Sequence, residues 1–275
     1  MSVTTPIAAH AAGGTFGDLV RYWRRVRTMS QLDLAATAMT TSRYMSFLET
    51  GRAKPSRDMV LRLADALEVP LRDRNGLLLA AGFAPLYPHR ELDDPTLAQV
   101  TVALDRMLGQ HEPFPAVVMD RGWNLLRANG GAQRLFGRMF APEPAPEAGN
   151  VLCLILEPGP VRSHIANWDE VAPALLERAR REAVGGVLDL ATAELVQELR
   201  TRPDIKCLTT VPRSIAPSSP VVDVHFRLDG TDLRFFSVVS TIGTPIDVTA
   251  QELRVEAFFP ADDDTAVGWQ AIGVP

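Results

Sequence analysis

The chain has 275 residues, of which 46% are hydrophobic, a globular composition with room for two domains. No apolar run approaches the ~18 residues that a transmembrane helix needs. The net charge of −5 divides unevenly: residues 14–82 hold eleven Arg/Lys and seven Asp/Glu (+4), the rest seventeen and twenty-six (−9), so the basic balance that phosphate binding requires sits on an N-terminal segment.

The first fourteen residues carry no Lys or Arg. They do not read as a secretory signal, and residues 1–15 read as a disordered arm. Phe16, Leu19, Val20, Trp23 and Val26 then recur at helical spacing, with Arg21, Arg25 and Arg27 on the other face. From Met29 to Pro55 the run MSQLDLAATAMTTSRYMSFLETGRAKP reads as two short helices and a tight turn. Ser30 caps the first, with Asp33 three residues on. Leu34 and Ala35 form its inner face, Met39-Thr40 makes the turn, and Thr41 caps a second helix running to about Thr50. Met45 and Leu48 point inward; Ser42, Arg43, Ser46 and Phe47 form two i,i+4 pairs facing out. Arg bonds guanine in bidentate fashion, and Ser bonds base edges or phosphate. Those four are the candidate base-reading face. Gln31, Thr41, Arg52 and Lys54, at helix starts or just past the second helix, are candidate phosphate contacts.

This stretch resembles the repressor/Cro-type helix-turn-helix of the xenobiotic-response-element family. The resemblance rests on SQ-x-x-LA (Ser30, Gln31, Leu34, Ala35), on Ser42-Arg43, and on L-E-x-G-R-x-x-P (Leu48, Glu49, Gly51, Arg52, Pro55). It implies double-stranded DNA as partner, an all-α five-helix domain, and an ion pair between Arg24 and Glu49 that ties the first helix to the recognition helix. Ser56 caps a fourth helix with Met59, Val60, Leu63, Ala64 and Leu67 inside. Residues 71–81 form a fifth, stopped by Gly82. Residues 16–82 are then the DNA-binding domain, and 83–95, with three prolines, the linker.

Helix resumes at about Thr96, with Leu97, Val100, Leu104 and Met107 on one side. PAVVMDRGWNLLRAN reads as a hairpin, Ala116–Asp120 and Trp123–Arg127 about a turn at Arg121-Gly122. Asn129 opens a short helix with Leu135, Phe136 and Met139. Residues 141–149 are a Pro/Glu loop, and Asn150–Leu156 is a short helix or a strand. Helices follow at 167–184 and 189–201, the first showing Arg178, Arg180 and Arg181 to solvent. Val221–Leu228, Leu233–Ile242 and Glu252–Phe259 read as strands, with a tight turn at Asp229-Gly230 and a closing helix at 263–270. Residues 96–275 are therefore an α+β domain: a five-stranded antiparallel sheet with helices on one face, resembling a PAS-like sensor fold. Cys153 and Cys207 read as small buried hydrophobes, which fits a reducing cytoplasm.

The runs PAVVMDRGWNLLRAN, NWDEVAPALLERAR and FFSVVSTIGTPIDVTAQELRVEAFFPAD, with LLLAAGFAP before them, resemble the ligand-binding domain of the MmyB-like regulators. That resemblance implies a pocket for an apolar ligand, a fatty acid being the known class for the family. Candidate lining residues are Val117, Met119, Leu135, Phe136, Met139, Trp168, Phe226, Phe236 and Val238; the same residues also suit an ordinary core. Arg227 and Arg234 are candidates for the ligand's head. Phosphate-loop, metalloprotease and nucleophile-elbow motifs are absent, and the five histidines show no metal-ligand spacing. A Ser–His arrangement through Ser237 and His225 carries no motif. The expectation is a cytoplasmic DNA-binding transcription regulator, a homodimer without catalytic residues, metal or cofactor, sensing an apolar ligand. The alternative is a regulator whose second domain only dimerises or binds a partner protein.

Overall fold

The computed structural model describes residues 14–145, 149–184, 190–210 and 221–272. Residues 1–13 of the expected arm and 146–148 of the Pro/Glu loop lie outside them. The chain forms two compact units. Of the described residues, one comprises 14–90, 180–184, 190–193 and 244–251; the other comprises 91–145, 149–179, 194–210, 221–243 and 252–272.

The first unit begins with five helices: α1 (Phe16–Val26), α2 (Gln31–Thr37), α3 (Ser42–Glu49), α4 (Arg57–Ala66) and α5 (Leu71–Ala80). Thr15 with Asp18, and Ser30 with Asp33, make reciprocal capping boxes at α1 and α2, while Thr41 and Ser56 cap α3 and α4. Each cap satisfies an otherwise orphaned N–H. The apolar stripes meet in one core built on Val20, Trp23, Leu34, Met45, Leu48, Val60, Leu63, Leu77 and Leu78. Arginines on the outer face of α1 finish the ends of other helices. Arg21 Nη2 donates to the Glu49 carbonyl at 2.5 Å, and Arg27 donates to the carbonyls of Leu67 and Glu68 at 2.8 and 2.9 Å. Cations at helix C-termini complement the macrodipole.

Gly17 lets α1 reach the end of α3. A Cβ there would lie 2.6 Å from the Glu49 carbonyl oxygen and 2.7 Å from that of Leu48. Gly17→Ala should therefore lower stability by about 1–3 kcal/mol, the usual cost of forcing atoms into a packed contact. A urea midpoint equal to the parent's would show that α1 shifts freely.

The proline-rich stretch after α5 is held in place. Asn75 Oδ1 accepts from the N–H groups of Leu86 and Tyr87, both at 3.0 Å, and its Nδ2 donates to the Tyr87 carbonyl at 2.7 Å. Residues 244–251 complete this unit. Val248 N–H donates to the Pro88 carbonyl at 2.8 Å, Arg90 pairs with the buried Asp247 at 2.7 Å, and Gln251 Oε1 accepts from Leu71 N–H at 2.7 Å.

The second unit starts with a 3-10 turn (Pro95–Leu97) and α6 (Ala98–Gln110). It continues through β1 (Ala116–Met119), β2 (Leu125–Ala128), α7 (Gly130–Phe140), α8 (Val151–Leu156), α9 (Pro160–Ser163), α10 (Trp168–Val184), α11 (Leu190–Thr201) and α12 (Pro203–Thr210). The chain then forms β3 (Val224–Leu228), β4 (Thr231–Thr241), α13 (Val248–Glu252), β5 (Arg254–Pro260) and α14 (Asp263–Ala271).

The sheet is five-stranded and antiparallel, in the order β2-β1-β5-β4-β3, the PAS-like arrangement expected. Asp229 and Gly230 both take positive φ, 50° and 82°, as a two-residue hairpin turn requires. Asn129 anchors the start of α7: its Oδ1 accepts from Ala116 and Ala132, and its Nδ2 donates to the Phe114 carbonyl at 2.8 Å.

The helices do not all share one face. Val117 and Met119 face the cluster made with α7, α8, α10, α11 and α12. Ala116, Val118 and Val255 point the other way, against Leu104 and Leu108 of α6. β1 is buried on both sides, so its alternation could not announce a one-sided sheet. Met107, expected to face inward, is 37% exposed; Leu108 takes its place. Trp123 lies in the β1–β2 turn at φ 67° and not on a strand. Cys153 is half-buried and Cys207 is exposed, so Cys207 is not the buried hydrophobe expected. Among the described residues no helix is long and apolar enough to cross a membrane.

Candidate DNA-reading face and ligand-binding domain

In the first unit, α2 and α3 form the helix-turn-helix. Met39 makes the turn at φ 51°, and Thr40 N–H bonds back to the Ala35 carbonyl at 2.8 Å. Met45 and Leu48 are buried beneath α3, while Ser42 and Arg43 are exposed and Ser46 and Phe47 half-buried. The Arg43 guanidinium lies over the Phe47 ring, 5.5 Å from its centroid, which props the side chain along the exposed face. Thr41 Oγ1 accepts from Tyr44 N–H at 3.2 Å. Arg52 and Lys54 are exposed beyond the helix.

Beneath this face buried Glu49 gathers three donors on its carboxylate: Arg24 Nε at 2.7 Å, Arg24 Nη2 at 3.1 Å and Gln31 Nε2 at 2.8 Å. Arg24 also donates to the Met29 carbonyl at 2.9 Å, so one guanidinium joins α1, the segment before α2, and the end of α3. Burial pushes the Glu49 carboxyl up, but the bonds from Arg24 and Gln31 and the charges of Arg24 and Arg21 prevail and hold it below the usual carboxylate range. Gln31 therefore has one amide hydrogen committed to Glu49, which its reading as a phosphate contact did not foresee.

In the second unit, seven of the nine candidate lining residues come together on the face covered by α7 and α10. Val117 and Met119 belong to one buried cluster; Leu135, Met139 and Phe226 belong to a second. Phe136 and Trp168 pack against both. Phe236 and Val238 do not join them. The pairing of Phe226 with Leu233 sets the register, so Leu233 and Phe235 share Phe226's face, and Phe236 and Val238 point to the opposite one. There Phe236 stacks on Phe259, ring centroids 5.7 Å apart, and Val238 is 45% exposed.

Arg227 and Arg234 also stand on that opposite face, and Arg227 is bound to Asp232 at 2.8 Å. Ser237 and His225 lie on opposite faces of the sheet, since His225 pairs with Arg234. Among the described residues no group of three His, Cys, Asp or Glu gathers as a metal site would.

Residues 100–270 match the MmyB-like transcription regulator ligand binding domain. The chain belongs to the MmyB-like transcription regulators. Residues 20–73 of this MmyB-like regulator match the helix-turn-helix family, which agrees with the repressor-type resemblance of Ser30 to Pro55. No curated protein matches the chain. It is thus a DNA-binding helix-turn-helix regulator with a ligand-binding domain.

Sequence reading of this MmyB-like regulator missed Arg178. Expected in solvent, Arg178 instead forms a bidentate pair with Glu256, at 2.9 and 3.3 Å. Its guanidinium also lies over Trp123, 4.7 Å from the ring centroid. A signal existed: residue 178 continues the spacing of Val171 and Leu175 at i+7 and i+3, on the edge of the buried stripe of α10.

Proposed function

We propose that the chain is a sequence-specific, cytoplasmic transcription regulator whose second domain senses an apolar small molecule, a fatty acid or other acyl compound, and alters operator binding in response. The observation that carries the reading is the exposed face of α3, where Arg43, propped on Phe47, stands beside Ser42 above a core that fixes the helix. Arg43, Ser42, Ser46 and Phe47 read bases. Gln31, Thr41, Arg52 and Lys54 position the phosphates.

Arg43→Ala should cost about 1–3 kcal/mol of operator affinity and relax the preference at one base pair. Equal loss on operator and random duplex would make Arg43 a phosphate contact. Lys54→Ala should weaken all duplexes alike and reduce the slope of log affinity against log salt by about one. A single helix-turn-helix buries little DNA, so the protein acts as a homodimer on an inverted repeat with half-sites about 34 Å apart or multiples of it. Footprinting a monomer over one half-site would contradict that.

Membership in a ligand-binding family and the apolar clusters between helices and sheet support the sensor half. The bonds that hold Leu86 and Tyr87 to Asn75, and Pro88 to Val248, support residues 83–95 as the segment through which the ligand acts on the reader. The test titrates lipid-stripped protein with fatty acids while following melting temperature and operator affinity.

The second reading, a domain that only dimerises or binds a partner protein, has in its favour the open sheet face around Phe236, Val238 and Phe259, the last 37% exposed. It predicts no response to any chain.

A further inference from the structure

Helices α1 to α4 each take a side-chain cap from the residue just before them, and α5 does not. Its N-cap is Pro70, which has no side-chain acceptor. The first N–H of α5, that of Leu71, donates instead to Gln251 Oε1 at 2.7 Å, from 180 residues further along the chain. A first-turn N–H has no partner within its own helix, so Gln251 supplies the missing cap.

Gln251 lies in the connection between β4 and β5. The last rung of those strands pairs Thr241 with Arg254, and a two-residue turn is enough to join antiparallel neighbours. Residues 242–253 take a longer route, and 244–251 pack into the DNA-binding unit. There Val248 N–H donates to the Pro88 carbonyl at 2.8 Å, Thr249 Oγ1 donates to the Arg90 carbonyl, and Asp247 pairs with Arg90 at 2.7 Å. Asp247 Oδ1 also accepts from Thr249 N–H at 2.8 Å, so one buried carboxylate holds both the start of α13 and Arg90.

These ties are polar. Among the described residues, the apolar core of this unit is built without 244–251. A hydrogen bond that water can replace contributes little net stability. The segment can therefore come away while the core stays packed, a local opening short of unfolding.

We propose that residues 244–251 are a detachable latch on the DNA-binding unit, and that operator DNA binds the latched form more tightly. Latched, the segment caps α5 and holds Pro88 and Arg90. Released, it uncaps the helix and frees that stretch. Helix α5 puts Leu77 and Leu78 into the same core that seats α3 through Met45 and Leu48, which gives the latch its route to the reading face. Because the latch is continuous with β4 and β5, a displacement of those strands draws on it. The proposal goes beyond the acyl-ligand reading and does not need it.

The test follows amide hydrogen exchange in the full-length protein, with no ligand added, at two latch donors, the N–H groups of Leu71 and Val248. Asp247→Asn keeps an acceptor for the start of α13 and removes the charge that pairs with Arg90. It touches nothing that Leu71 touches, yet it should speed exchange at Leu71 about tenfold, the size of one weakened charge-assisted bond. Gln251→Leu should speed exchange at Val248 about fivefold, the usual worth of a cap. If Asp247→Asn does not fold, Thr249→Val, which loses only the bond to the Arg90 carbonyl, takes its place.

Coupling is reciprocal, so saturating operator duplex should slow exchange at Leu71 and Val248 of the parent by one common factor, at least threefold. Exchange at Leu71 that keeps the parent's rate in Asp247→Asn and in Thr249→Val would mean that the bonds open independently, and there is no latch. Rates at both amides unmoved by operator would leave a structural clasp and overturn its part in DNA binding. Neither result bears on whether the second domain takes a ligand.

Discussion

Glu49→Ala should cost the DNA-binding domain about 3–5 kcal/mol, the loss typical of breaking a buried ion pair from one side. The carboxylate side chain is 2% exposed and that of Arg24 is 15% exposed. Removing Glu49 leaves the guanidinium with the Met29 carbonyl and strands the Gln31 amide. A small domain has only about 5–15 kcal/mol in total, so the variant should be near its unfolding threshold. Urea denaturation at neutral pH reads the loss, and operator affinity should fall with the folded fraction.

The pH dependence fixes the mechanism. Because the folded-state carboxyl lies below its usual range, its stabilisation is complete above the unfolded-state value. It is lost as pH falls through and below the ordinary carboxylate range. Parent and variant should therefore differ most near neutrality and converge in acid. A gap that stays constant down to acid pH would assign the loss to packing and not to charge.

The DNA-binding half was legible in the sequence because its signals are local. Ser30 with Asp33, Thr41 and Ser56 mark helix starts within three residues, and the stripes Phe16–Val20–Trp23 and Met59–Leu63 have one buried side. Even the Arg24–Glu49 pair, 25 residues apart, was available through a resemblance spread over Ser30 to Pro55. The ligand-binding half was less legible because its decisive contacts are long-range. Arg178 meets Glu256 across 78 residues, and no helical period on α10 names a partner strand. Phe236 was assigned to the apolar interior because it is aromatic and on a strand. Its side depends on register, which the Asp229-Gly230 turn sets, and one residue's shift exchanges the faces. The position of α6 on the second face was hidden for the same reason: Ala116–Met119 is apolar throughout and names no exposed side.

Straight-chain acids should tighten onto the lipid-stripped protein by about 0.8 kcal/mol for each methylene buried. Two methylenes are then a little over tenfold. From octanoic to tetradecanoic acid, six methylenes amount to ~5 kcal/mol, between three and four orders of magnitude in affinity. Melting temperature should climb with chain length at fixed excess, since a ligand that binds only the folded state stabilises it by mass action. On the proposed reading the climb ends where the site takes no more chain, so the length at which it levels is the length of that site, read without a bound structure. Operator affinity is a separate quantity. A ligand equally tight on the DNA-competent and DNA-incompetent states moves neither, however long its chain. Melting temperatures that rise with length beside an unmoved operator affinity would establish the site and refute the regulation. Melting temperatures flat across all lengths would remove the acyl ligand and favour a domain that dimerises or binds a partner protein.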